Sequence, residues 1–257
     1  MPYEIIASFL LFGVVVYLIF KQAKPLTGKL DILARRNQFC KVLETIPYTI
    51  SKKEVVFEIM DESCESGMPH TTDVKTIRLP ESLWKRRDSD RFKQVLRHEM
   101  IHLLQRRSST AWRVQYKKWG YTIQKDPPAG IPIDILECVR FNPDVADAPW
   151  AIFEDRYVTV ACYKSITNPQ LRETEIVIWD LKLGKRVESM PESWPWGQSS
   201  PLAQQGEKVD PAVKKSGLHQ AEHPHELSAE MAADLEHQTY VPDGFREFLT
   251  EQFLMNR

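Results

Sequence analysis

The longest run without a polar interruption lies at the start of the chain. Ile5 to Phe20, IIASFLLFGVVVYLIF, contains no charged residue. A helix that crosses about 30 Å of hydrocarbon needs about 20 apolar residues, and Met1–Tyr3 and Gln22–Ala23 bring the run close to that as interfacial flanks. A cleaved signal peptide is the competing reading. It wants a basic start and a small-residue cleavage site, whereas the first charge here is Glu4 and the run is followed by KQAKP. The pattern therefore predicts an N-terminal membrane anchor over residues 1–24, ahead of a main domain over 25–257. Lys21, Lys24, Lys29, Arg35 and Arg36 all follow the run, so the positive-inside rule predicts a single-pass protein with the bulk of the chain facing the cytoplasm.

Beyond the anchor the pattern alternates between helical and strand periods. Leu26–Thr45 has helical composition and stops before Pro47. EVVFEIM (54–60) and VKTIRL (74–79) read as strands. Pro80-Glu81-Ser82 begins a short helical piece, and Asp88-Ser89-Asp90 is a helix-starting cluster for a helix over about 89–107. Ser108–Tyr121 reads as a second amphipathic helix whose Trp112, Tyr116 and Trp119 recur at core spacing. Strands follow at Trp150–Phe153, Tyr157–Tyr163 and Glu175–Trp179, making 126–190 a β-rich segment. Residues 190–224 are rich in Pro, Gly, Ser and Gln and read as a long loop; two helices, about 225–238 and 243–254, close the chain. The expected class is α+β.

Composition narrows the partners. Lys+Arg number 34 against Asp+Glu 35, a formal charge of −1 over 257 residues, so there is no general basic field and nucleic acid is not expected as a partner. Cys40, Cys64, Cys138 and Cys162 are scattered, with no CxxC pair for a zinc ribbon or redox site.

The chemistry concentrates in the helix over 89–107, which contains His98-Glu99-Met100-Ile101-His102. Residues four apart share a helical face, so His98 and His102 can present imidazoles to one metal ion, with the Glu99 carboxylate in reach of a water there. HExxH also arises by chance on charged helices, where it faces solvent, and Arg97, Gln105, Arg106 and Arg107 mark a solvated side on this one. A second feature is needed, and it lies downstream in His223-Pro224-His225-Glu226-Leu227-Ser228-Ala229-Glu230-Met231-Ala232-Ala233-Asp234. Pro224 suits a first helical turn. Glu226, Glu230 and Asp234 recur along one stripe, where like charges repel unless a cation lies between them. Ala229, Ala232 and Ala233 permit close approach of another helix.

HEMIH with a downstream acidic, alanine-rich helix resembles the gluzincin branch of the zincin metallopeptidases, the thermolysin-like and minigluzincin type. The resemblance implies a zincin-like core, a small sheet with an active-site helix and a third-ligand helix, interrupted by the β-rich segment. It also implies one Zn²⁺ held by His98, His102 and Glu226, with Glu99 as general base in peptide-bond hydrolysis. Glu230 is the rival third ligand, because Glu230 and Asp234 repeat the same spacing; otherwise Glu230 or Asp234 orients a histidine. The metzincin pattern fails, since Gln105 and Ser108 stand where it needs Gly and His. The separation of His102 from Glu226 exceeds that of compact gluzincins, so the resemblance covers the helix pair and preceding strand and leaves the middle of the chain unread. The rival from another class is a zincin-derived binding or structural module without turnover. Within the unread part, Arg140, Asn142 and Asp144 are candidates to line a cleft, and Trp194 and Trp196 to anchor or cover a loop.

Overall fold

The structure, a computed structural model, describes residues 28–50, 53–196, 223–235 and 241–255. The apolar run at 5–20 and most of the 190–224 loop lie outside these residues. Among the described residues no helix is long and apolar enough to cross a membrane.

The architecture is mixed α+β, with two sheets. The first has the order β1-β2-β4-β3, formed by β1 (Val42–Ile50), β2 (Lys53–Met60), β3 (His70–Thr71) and β4 (Thr76–Pro80). β2 pairs antiparallel with β1 and parallel with β4, and β3 pairs antiparallel with β4. Strict alternation makes β2 a half-buried strand: Val55, Phe57 and Ile59 are buried and Val56 and Glu58 only partly so. With Ile77 and Leu79 of β4 they form a core against Phe92 and Leu103 of the long helix α3 (Asp90–Arg107). Between them the chain makes α2 (Glu81–Trp84), capped by Pro80. Ser89 Oγ accepts from the Phe92 amide at 3.2 Å, fixing where α3 begins.

The helix expected over 26–45 is corrected here. Only α1 (Lys29–Arg35) is helical, and Val42 onward is strand. The β-branched Val42, Thr45, Ile46, Thr49 and Ile50 favour extended backbone, and β2 supplies the partner that local composition could not reveal. Pro47 is tolerated because β1 is the edge of its sheet. α1 enters against the next layer closely: a Cβ on Gly28 would lie 2.8 Å from the Val139 carbonyl oxygen.

After α3 come α4 (Ser109–Lys118) and the second sheet, antiparallel throughout and ordered β5 (Tyr121–Gln124), β6 (Trp150–Phe153), β7 (Tyr157–Tyr163), β8 (Thr174–Asp180), β9 (Lys185–Val187). α5 (Ile133–Cys138) and a 3₁₀ turn at Pro143–Val145 lie between β5 and β6. The terminal helices are α6 (Pro224–Ala233) and α7 (Phe245–Met255). Trp112, Tyr116 and Trp119 are core residues, packed with Phe245, Phe248 and Trp196. Trp196 meets Trp119 edge-on at 5.2 Å, and the Trp194 indole N–H donates to the Tyr121 hydroxyl. The pair thus anchors the chain where it leaves the second sheet. Cys40 and Cys64 are disulfide-bonded; Cys138 and Cys162 are free thiols.

Candidate metal centre

The centre forms where α6 packs along α3. Ala229 and Ala233, almost fully buried, are the small residues at that contact. The four-residue spacing on α3 brings His98 Nε2 and His102 Nε2 to 3.0 Å, their rings edge-to-face. Glu226, in the first turn of α6, places Oε2 3.4 Å from His98 Nε2 and Oε1 3.3 Å from His102 Nε2. These ligand atoms all lie within 4.8 Å of one another. The His102 side chain is fully buried, while those of His98 and Glu226 are 20% and 15% exposed.

Two imidazole nitrogens and a carboxylate oxygen are the donor set of a catalytic zinc site. The Glu226 Oε1 atom is buried without a hydrogen-bond partner, a costly arrangement that a cation between the three groups relieves. The residues therefore fit a metal ion. Without one, the protons settle where the charges demand. Burial opposes charge on His102, but the Glu226 and Asp144 carboxylates outweigh it and lift its pKa to about 9. His98 is raised well above its ordinary value against burial, through hydrogen bonding to Glu226 and Glu230. Glu226, despite burial, is held well below the carboxylate range by His102 and His98.

Glu230 and Asp234 occupy different places. Glu230 Oε2 stands 3.4 Å from His98 Nδ1, on the far edge of that ring, with its side chain 34% exposed. It thus meets His98 on the nitrogen that Glu226 does not reach. Asp234 follows the last turn of α6, at its C-cap, and does not join the three-ligand cluster.

Glu99 points into the cleft beside the cluster. It is buried, and its Oε2 has no partner. Burial first, and then the Asp144 charge, push its pKa up to about 8, with His98 and His102 pulling the other way. Asp144 accepts from the Thr71 amide and hydroxyl at 2.7 and 2.6 Å. The cleft holds about 400 Å³ and is lined by His98, Glu99, Glu226, His70, Arg140 and Asn142 among others.

The reading of Gln105 and Arg106 as a solvated side is overturned. Gln105 is 2% exposed, because three positions beyond His102 is the same helical stripe. Its Oε1 lies 2.7 Å from His102 Nδ1, and its Nε2, with two hydrogens to donate, faces the His225 carbonyl at 2.9 Å, Ser228 Oγ at 3.0 Å and the Tyr116 hydroxyl at 3.2 Å. The amide thus keeps the proton on His102 Nδ1, leaves Nε2 free to ligate, and ties α3 to α6. Arg106 spans to Thr71 and to the Pro143 carbonyl at 2.9 Å, stapling β3 beside the cleft. Arg97 remains exposed. Replacing Gln105 with Leu, close in volume but unable to bond, should lower affinity for a divalent metal ion about 10- to 100-fold, read by competition with a chromophoric chelator. Unchanged affinity would mean that His102 orients without it.

His223 caps α6. Its Nδ1 accepts from the His225 amide at 3.1 Å and its Nε2 donates to the Ala148 carbonyl at 3.1 Å, so the ring is neutral and both nitrogens are used. Burial lowers its pKa to about 4, and that of His225 well below 6.5. Between pH 6.5 and 4 the unfolded chain binds protons that the folded chain refuses. His223 therefore contributes stability above pH 6.5 that is lost as pH falls toward 4, on the order of 3 kcal/mol. Urea midpoints at pH 7 and pH 4.5 should converge more in His223→Asn, which keeps a capping oxygen, than in the wild type. Equal acid sensitivity would remove His223 as the cause.

Comparison with known proteins adds one match. The SprT-like family, related to zincin-like metallopeptidases, matches residues 37–136. That stretch runs from before β1 into α5 and contains His98, Glu99 and His102, but ends well short of Glu226; it is less than half of the chain. No curated protein and no solved structure matches the chain. On the matched stretch and the His98–His102–Glu226 cluster, the chain is similar to a zincin-type metal-binding family.

Proposed function

We propose that this protein is a zinc-dependent metallopeptidase of the gluzincin type, hydrolysing peptide bonds with Glu99 as general base. The observation that carries the reading is the convergence of His98, His102 and Glu226 beside a buried, unpartnered Glu99 in an open cleft. Zn²⁺, when bound, supplies a Lewis acid for the scissile carbonyl and acidifies the attacking water. The chain's residues do the rest. His98, His102 and Glu226 hold the ion, and Gln105 and Glu230 fix the two rings. Glu99 takes the water's proton and returns it to the leaving amine. An occluded, inactive module is the lesser reading, because Glu99 and Glu226 both line the cleft. Comparing wild type with Glu99→Gln on an unfolded protein substrate tests the assignment.

The proposal extends to attachment at a membrane through residues 5–20, with the domain facing the cytoplasm and peptide or protein, rather than nucleic acid, as partner. The Cys40–Cys64 disulfide weighs against that orientation, because such bonds persist in oxidising compartments.

A further inference from the structure

The wall of the cleft that the mechanism does not use carries two arginines. Arg140 follows the last residues of α5 and is pinned by its main chain, its amide donating to the Ala161 carbonyl at 2.8 Å. Arg140 lines the cavity that holds His98, Glu99 and Glu226. Its Nε is buried with no hydrogen-bond partner, and Nη2 reaches only the Met68 sulfur at 3.7 Å. Arg172 lines the same cavity from the turn before β8 and is exposed. Gly67, with φ of +71°, leaves it room: a Cβ there would lie 3.2 Å from Arg172 Nη2. Among the described residues neither arginine makes an ion pair, although Arg35, Arg78, Arg106, Arg156 and Arg186 all do.

Glu99 apart, the carboxylates of the cleft are already engaged. Glu65 accepts from Arg35, Asp144 from Thr71, and Glu226 faces the two histidines. Glu65 Oε2, the other orphan on this wall, belongs to the carboxylate that Arg35 holds. Among the described residues two cations are thus left without an ionic partner at the edge of the proposed peptide site. A guanidinium presents a planar fork of donors that matches a carboxylate with two parallel bonds. A half-buried guanidinium with no carboxylate beside it, held only by a weak contact to sulfur, gains most from such a partner.

We propose that Arg140, assisted by Arg172, is a recognition site for a carboxylate on the substrate peptide, borne either by a Glu or Asp side chain or by the free C-terminus. The proposal rests on the reading of the cleft as a peptide site, and substrate selectivity rather than turnover is what it assigns.

The test uses the full-length, zinc-loaded Glu99→Gln protein and fluorescent octapeptides that differ at one position by Glu or Gln, each with a free or an amidated C-terminus. Binding is followed by anisotropy, so hydrolysis is not required. A carboxylate-bearing peptide should bind about tenfold to a hundredfold more tightly than its amide counterpart. The Glu/Gln and acid/amide arms tell a side chain from a terminus. Adding Arg140→Gln should abolish the preference while leaving binding of the neutral peptide unchanged; Arg140→Lys, which keeps the charge but not the fork, should retain only part of it. Arg172→Gln, at an exposed position, should reduce the preference and serves if Arg140→Gln does not fold. Equal binding of all four peptides to the parent protein, or a preference undiminished in either Gln variant, overturns the proposal. A protein that discriminates the peptides while its Glu99 parent cleaves none of them keeps this site and loses the peptidase reading. One that cleaves neutral and acidic peptides alike does the reverse.

Discussion

Glu99→Gln should leave a folded, zinc-loaded protein whose peptide hydrolysis is lower by about 10²- to 10⁴-fold in kcat, the range for losing a positioned general base. The fold survives because Gln is nearly isosteric and uncharged. At this site burial and the Asp144 charge already disfavour the carboxylate, so exchanging it for an amide removes a cost. The metal survives because Glu99 is not among the atoms that converge on the ion, which are contributed by His98, His102 and Glu226. What the amide cannot do is accept a proton from water and return it to an amine. Metal content, thermal midpoint and kcat measured on the same preparation separate these statements. Full activity in the variant would refute the mechanism, and loss of zinc together with activity would mean that Glu99 supports the metal rather than the proton transfer.

The helix pair is legible in the sequence because its signals are local. His98 and His102 are four apart, Ser89 caps the helix, and Pro224 with Glu226 marks the start of its partner. Each of these is written in neighbouring residues. β1 escapes such a reading because its partner is what makes it a strand: Val42–Ile50 sits on the sheet edge, mostly exposed, and only pairing with β2 decides its conformation. Gln105 escapes it for a different reason. A polar residue next to two arginines looks solvated, and its burial depends on Ser228, His225 and Tyr116 arriving from other elements. The one legible clue is its position three residues beyond His102. Arg140 is legible only as a residue able to line a cleft, since its missing partner is a property of the assembled wall.

Glu226→Ala should lose zinc, whereas Glu230→Ala should keep it. Glu226 offers two oxygens within 3.4 Å of the two ring nitrogens that face each other, so its removal takes away a ligand and the negative charge that draws a cation in. Glu230 reaches the other nitrogen of His98, at 3.4 Å, from where it can only orient the ring. Loss of such a supporting partner costs about 10- to 100-fold in metal affinity, and loss of Glu226 should exceed that. The metal-free proteins should differ too. In Glu226→Ala the histidines no longer gain protons against burial, since Glu226 is a leading cause of the rise in both. Without that pairing Glu226→Ala should melt below wild type even in chelator, while Glu230→Ala stays close to it. Metal analysis beside melting curves in zinc and in chelator reads both effects. Zinc retained in Glu226→Ala and lost in Glu230→Ala would reverse the ligand assignment, and a wild-type protein that takes up no zinc would remove the metal centre altogether.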